Sequence, residues 1–286
     1  MSPSADRVAA FTRADLTFPT EDTGPIDGEP VLLLHGWPQD GRSWDRVTPA
    51  LTAAGYRSFA PTLRGATPGA NPRPRRAYRG PELLGDVAAM IERIGAPVHL
   101  VGHDWGAALA WTVAVRRPDL VTTLTAVSVP HPAAFLNALR RPAQLRRSWY
   151  MAFFQLPVVP ELALAADGVR RRVLRASGQS SAAARRDAGR LDSYALRRGG
   201  FNWYRGALLS APRDLGPATV PVLQVWSDGD VAVGRASIEA SRAYARGGYR
   251  LVVLEGVSHW IPDVAADRLS DALLAHLRAH PRATGA

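Results

Sequence analysis

Val31-Leu32-Leu33-Leu34 is an unbroken apolar run that ends at His35-Gly36. A short run without polar alternation predicts a strand buried on both faces, as in a parallel sheet. Trp44 to Ala54 then reads as a helix, with Ser43 as its N-cap and Gly55 as its stop. Arg57 to Leu63 predicts a second strand, and Arg64 to Gly80 a loop rich in proline, arginine and glycine. From Glu82 to Ile94 the apolar positions Leu83, Val87, Met90, Ile91 and Ile94 follow helical spacing and end at Gly95. Val98 to Gly102 predicts a strand, Trp105 to Arg117 a helix stopped by Pro118, and Val121 to Val129 another strand.

The alternation then breaks. From about Pro130 to Tyr204 only helical and loop-like segments appear. Strand signals resume at Val222 to Trp226 and at Arg250 to Leu254. Asp267 to His280 closes the chain as an amphipathic helix with Leu269, Ala272, Leu273 and Leu277 on one stripe. Strand–helix alternation predicts an α/β fold, a mostly parallel sheet flanked by helices. The break predicts a helical cap inserted into it. The division expected is a first core part (1–130), a cap (131–205) and a second core part (206–286). Ligand sites in such sheets lie at the carboxyl ends of the strands, so the insertion is placed to form a lid.

Composition changes this picture little. A chain of 286 residues with 47% hydrophobic content can bury its core without disulfide or metal. The absence of cysteine excludes thiol catalysis and thiolate metal sites. The net charge of +10 comes with 35 basic residues, all arginine. Uniform arginine reads as a composition bias on solvated surfaces, so nucleic acid is not an expected partner. Charges at Asp6, Arg7, Arg13 and Asp15 interrupt the N-terminus, and no stretch approaches a membrane span. A soluble, cytoplasmic protein without a membrane partner is expected.

The chemistry centres on Gly102-His103-Asp104-Trp105-Gly106. A strand enters a tight turn and passes straight into a helix, with glycine two residues before and after the central position. This is the nucleophile-elbow layout. An aspartate there attacks an sp³ carbon bearing a leaving group and becomes an ester, which must then be hydrolysed. Three further features accompany it. His35-Gly36-Trp37-Pro38 ends an earlier strand, so the backbone amides of Trp37 and Trp105 are candidates for an oxyanion hole. Asp228 and Asp230 follow the strand after the insertion, where a triad acid is expected. His259 follows the last strand and is the candidate base.

With these motifs the sequence resembles the α/β-hydrolase superfamily, in its epoxide hydrolase and haloalkane dehalogenase branch, and epoxide hydrolases most closely. The resemblance runs from about Val31 to His280. It implies Asp230 rather than Asp228 as the acid, and a Trp37–Pro38 peptide that is often cis in the family. It also implies two cap tyrosines that activate an epoxide oxygen. Tyr150 precedes Phe154-Gln155-Leu156-Pro157, and Tyr204 lies in Asn202-Trp203-Tyr204-Arg205, both as in epoxide hydrolases. Dehalogenases hold a halide with two N–H donors: one from the tryptophan after the nucleophile, where Trp105 would serve, and a second that is commonly an asparagine directly after the first His-Gly or a tryptophan of the cap; here the asparagine position is Trp37. The pocket wall is expected from His35, Pro38, Trp149, Phe153, Phe154, Trp203 and Trp260, and His103 is expected to shape the elbow. The implied reaction is hydrolysis of a small hydrophobic epoxide by water to a vicinal diol, without metal or organic cofactor, in a monomer or homodimer. A haloalkane dehalogenase and a non-hydrolytic small-molecule-binding member of the fold are the alternatives.

Overall fold

The computed structural model describes residues 6–210 and 215–282. The first five residues of the N-terminal stretch read above, and the short segment 211–214, lie outside them.

Eight strands form one sheet: β1 (Ala10–Arg13), β2 (Leu16–Thr23), β3 (Glu29–Leu34), β4 (Tyr56–Pro61), β5 (Val98–His103), β6 (Val121–Val127), β7 (Val222–Ser227) and β8 (Tyr249–Leu254). Their order across the sheet is β1-β2-β4-β3-β5-β6-β7-β8. β1 and β2 pair antiparallel, β2 runs antiparallel to β4, and every pairing from β4 to β8 is parallel. The sheet is therefore mostly parallel, as the strand–helix alternation predicts.

The apolar run in β3 is buried on both faces. Leu32 and Leu34 pack into one core cluster, whereas Val31 and Leu33 pack into the other. The first cluster is covered by α2 (Gly80–Ile94) and α3 (Trp105–Arg116). The second is covered by α1 (Thr48–Ala53) and the C-terminal α13 (Ala266–Ala279), whose Leu269, Leu273 and Leu277 are fully buried. Gly95 ends α2 in the left-handed conformation, at φ 82°, where glycine has no Cβ to clash.

Two expectations need correction. The helix expected from Trp44 to Ala54 is split into a 3₁₀ turn over Gly41–Trp44 and the short α1. Pro49 lacks the N–H that a continuous helix would need at that position. Ser43 is not the cap: Asp40 is, accepting from the Arg42 amide at 3.0 Å. The β1–β2 hairpin lies in a stretch for which no strand is expected. It is held by the buried cross-strand pair Phe11 and Phe18, with Ala14 at φ 51° in its turn.

Between β6 and β7 the described residues form seven helices: α4 (Pro132–Ala138), α5 (Pro142–Arg147), α6 (Trp149–Phe153), α7 (Val159–Ala163), α8 (Asp167–Ala176), α9 (Ser181–Arg190) and α10 (Tyr194–Ala207). The two motif stretches that carry the tyrosines are bonded to each other. Gln155 Nε2 donates to the Tyr204 carbonyl at 3.2 Å. Arg205 donates to the Phe154 and Leu156 carbonyls and pairs with the buried Glu161 at 2.6 Å. The loop over 64–80 is tied down as well. Arg64 pairs with Asp86 at 2.7 Å, and the Trp203 indole N–H donates to the Arg64 carbonyl at 2.7 Å. Two short helices, α11 (Arg235–Ala240) and α12 (Ile261–Val264), complete the fold.

Candidate active site

Asp104 stands between the end of β5 and the start of α3, with φ 52° and ψ −123°. A non-glycine residue at positive φ is strained by roughly 1–3 kcal/mol, and the close packing around the turn holds it there. A Cβ on Gly102 would sit 2.2 Å from the Gly106 carbonyl oxygen, and one on Gly106 would sit 2.1 Å from that of Leu34. Strand, turn and helix meet at distances only glycine permits. Gly36 approaches Asp104 itself: a Cβ there would lie 2.3 Å from the Asp104 Cβ.

The Asp104 carboxylate is held on two sides. The Trp37 amide donates to Oδ1 at 2.9 Å, and the Trp105 amide also donates to the carboxylate. On the other side Oδ2 lies 3.5 Å from His259 Nε2. His259 Nδ1 in turn lies 2.7 Å from Asp230 Oδ2. Asp230 is fixed by the amides of Ala232 and Val233, which donate to Oδ1 at 2.7 and 2.9 Å. Asp228 instead faces solvent and accepts from the Gly256 amide. The peptide before Pro38 is cis.

Charge follows this geometry. Burial by itself opposes ionisation of Asp104, but the hydrogen bond and charge of His259, with help from the Trp105 amide, hold its carboxyl below the usual range. Burial likewise opposes protonation of His259. The charge of Asp230 and the hydrogen bonds to Asp104 and Asp230 outweigh it and raise the imidazole to about 10. At neutral pH the resting centre is an imidazolium clamped between two carboxylates.

His103 takes no direct part in this chain. Its Nε2 lies 3.0 Å from the His259 carbonyl and its Nδ1 3.2 Å from Gln39 Oε1. Burial pushes it down to about 4, so it is neutral. Gln39, which no motif singles out, also donates to Asp263 at 2.7 Å, and the Ser128 hydroxyl donates to the His259 carbonyl at 2.8 Å. These bonds fix the loop carrying His259. Their partners are distant in sequence, which left no local pattern to find.

Tyr150 and Tyr204 come together with ring centroids 6.1 Å apart, edge to face. The Trp105 indole ring packs on Tyr204 at 4.9 Å and its side chain hydrogen-bonds the Tyr204 hydroxyl. Burial, and then the nearby charge of Asp104, push both phenols above their ordinary value, so each keeps its proton. Both tyrosines and Asp104 line one cavity of about 430 Å³. The rest of its wall is mostly apolar, including Val129, Phe135, Leu139, Leu145 and Met151.

None of the seven residues expected to form the pocket wall lines this cavity. His35, Pro38 and Trp203 line a separate space of about 30 Å³ behind Trp37 and Trp105, with room for little more than water. Phe154 packs against Trp37 and Phe201. Phe153 lies against Phe154 and Trp149. Trp149 is 67% exposed, because α6 turns its neighbour Tyr150 inward. Trp260 packs beside His103 and donates to Ser177. The actual wall comes mainly from α4, α5 and α6, whose apolar residues carry no motif.

Comparison with known proteins agrees with the geometry. The family described as alpha/beta hydrolase fold matches residues 29–266. Epoxide hydrolase 3 of Xenopus tropicalis is 32% identical over 81% of this chain and 66% of its own length, so the chain spans just under two thirds of that protein. Epoxide hydrolase A of Mycobacterium tuberculosis is 30% identical over 87% of this chain and 92% of its own. The crystal structure of Epoxide Hydrolase A from Mycobacterium thermoresistibile superposes with a TM-score of 0.76 at 28% identity, covering 96% of this chain and 98% of that one. Sheet order, elbow and sequence relatives converge: the chain belongs to the α/β-hydrolase fold family, among relatives that are named epoxide hydrolases.

Proposed function

We propose that this protein hydrolyses a hydrophobic epoxide to a vicinal diol through an ester on Asp104. The observation that carries this reading is the pair of protonated tyrosines, Tyr204 buried and Tyr150 half-buried, sharing one apolar cavity with the Asp104 carboxylate. Ring opening needs an oxygen nucleophile on carbon and an acid on the departing oxygen. Asp104 supplies the first, and the Tyr150 and Tyr204 hydroxyls supply the second. Oδ1 is already engaged by the Trp37 amide, so Oδ2 is the attacking atom.

Ester formation then changes His259. The resting imidazolium has one proton too many to act as a base, and the opened ring has one too few. Transfer of that proton, directly or by way of a tyrosine, leaves a neutral imidazole and a hydroxyl. The same step abolishes the negative charge of Asp104, one of the influences that keep His259 protonated. Neutral His259, oriented by Asp230, then takes a proton from water as the water attacks Cγ of the ester. The Trp37 and Trp105 amides stabilise the tetrahedral oxyanion on Oδ1. Cleavage of the Cγ–Oδ2 bond releases the diol and restores the carboxylate.

The relatives named epoxide hydrolases support the substrate class. Against carbon–halogen chemistry, the Trp105 side chain is hydrogen-bonded to Tyr204, and Trp37 occupies the position of the halide-binding asparagine. A single turnover in ¹⁸O-water tests the scheme. The first diol is expected to carry no label and Asp104 to acquire it. Label in the diol on the first turnover would overturn the covalent route, and halide release from haloalkanes without diol formation would overturn the substrate.

A further inference from the structure

The helices between β6 and β7 hold an unusual surface. Twelve of the fourteen large apolar residues exposed among the described residues fall between Leu136 and Leu209. Three of them, Leu136, Leu145 and Leu208, also line the active-site cavity, so they form its mouth. Leu145 is 60% exposed and Leu208 69%. Trp149, Leu156, Val158 and Val159 continue the exposed apolar set along the same stretch.

Charge on this stretch has one sign. From residue 120 to residue 160 there is no aspartate or glutamate, while Arg140, Arg141, Arg146 and Arg147 lie beside the rim residues. All four are exposed. Arg147 donates to the Asp230 carbonyl, but Arg140, Arg141 and Arg146 form no ion pair among the described residues. The next carboxylate, Glu161, is buried against Arg205.

We infer that this face docks on an anionic lipid surface, with the cavity mouth turned toward the bilayer. Exposed leucine, valine and tryptophan interleaved with arginine suit the boundary between headgroups and acyl chains. Unpaired arginines add electrostatic attraction to acidic lipids. A second copy of the chain is a poorer occupant, because a twofold contact would bring the same unpaired arginines against each other. Among the described residues no helix is long and apolar enough to cross a membrane, so the association is peripheral. Resting on the epoxide reading, the substrates are epoxides that partition into the bilayer, entering the apolar cavity without crossing bulk water.

Sedimentation with phosphatidylcholine vesicles, with and without phosphatidylglycerol, tests the surface. Binding is expected only with the anionic lipid and is expected to weaken as salt rises. An Arg140→Gln, Arg141→Gln, Arg146→Gln triple variant should partition on the order of 100-fold less. It should hydrolyse a short water-soluble epoxide normally but a long-chain epoxide dissolved in anionic vesicles more slowly. No sedimentation at low salt, or equal sedimentation of the triple variant, would overturn the inference. So would a dimer that dissociates in a Trp149→Ala variant and covers the mouth. If neither epoxide is turned over while sedimentation behaves as expected, the substrate reading fails and the docking surface stands.

Discussion

Replacing Asp104 with asparagine imitates the charge of the ester while leaving the rest of the centre in place. In the wild-type protein His259 is raised from 6.5 to about 10, against its burial, by Asp230 and Asp104. The Asp104 contribution can be gauged from distance. Unit charges 3.5 Å apart at an effective dielectric of about 20 interact by ~4–5 kcal/mol, which corresponds to roughly three pH units. Removing that charge should therefore bring His259 down to about neutrality, where it can act as a base. The assay is an NMR titration of the imidazole nitrogens in both proteins. The wild type should hold its proton beyond pH 9, and the Asp104→Asn variant should lose it about three pH units earlier. If the variant titrates with the wild type, Asp230 alone holds the proton. The idea that ester formation switches on the base would then be refuted.

Other outcomes follow from the same geometry. A His259→Gln variant should form the ester but not hydrolyse it, so mass spectrometry after mixing with substrate should find Asp104 carrying the added epoxide. Tyr150→Phe and Tyr204→Phe should each slow ring opening by about 10²-fold or more, read as the rate of ester formation in stopped-flow, with subsequent ester hydrolysis affected less. Gly36→Ala should cost at least about 10²-fold in kcat, because its new Cβ would lie 2.3 Å from the Asp104 Cβ and must displace the nucleophile. Stability should fall at alkaline pH. His259 has a folded pKa above its unfolded value, so its contribution is complete below about 6.5 and is lost as pH rises through about 10. Urea midpoints measured across that window should decline, and less so in Asp104→Asn.

The sequence announced the elbow because its structure is local. Gly102, Asp104 and Gly106 lie within five residues of one another, and the contacts that demand glycine are made by the turn and the strand beside it. Asp230 and His259 were legible because each follows a strand directly, so chain order places them at one end of the sheet. The tyrosines were legible only through resemblance, since nothing in their local pattern separates them from packing aromatics. The cavity wall was misread for a related reason. Successive residues on a helix point about 100° apart, so Tyr150 facing inward sends Trp149 out to solvent, although both look equally suited to a pocket. Which faces of short helices meet is decided by stacking between them, and α4 to α7, the longest of which has 7 residues, leave little periodicity from which to infer it.

The Arg205 clamp divides the cavity into two walls with different tolerance to change. One guanidinium gathers the Phe154 and Leu156 carbonyls and the Glu161 carboxylate, and so locks the segment after Tyr150 to the helix bearing Tyr204. Phe135, Leu136, Leu139 and Leu145 lie on the other side, on α4, on α5 and between them, outside that clamp. Mutations there can reshape the space offered to a substrate without moving the acid pair. Selection, natural or in the laboratory, can therefore alter which epoxide is accepted, and which of its faces is presented, while the reaction itself is conserved.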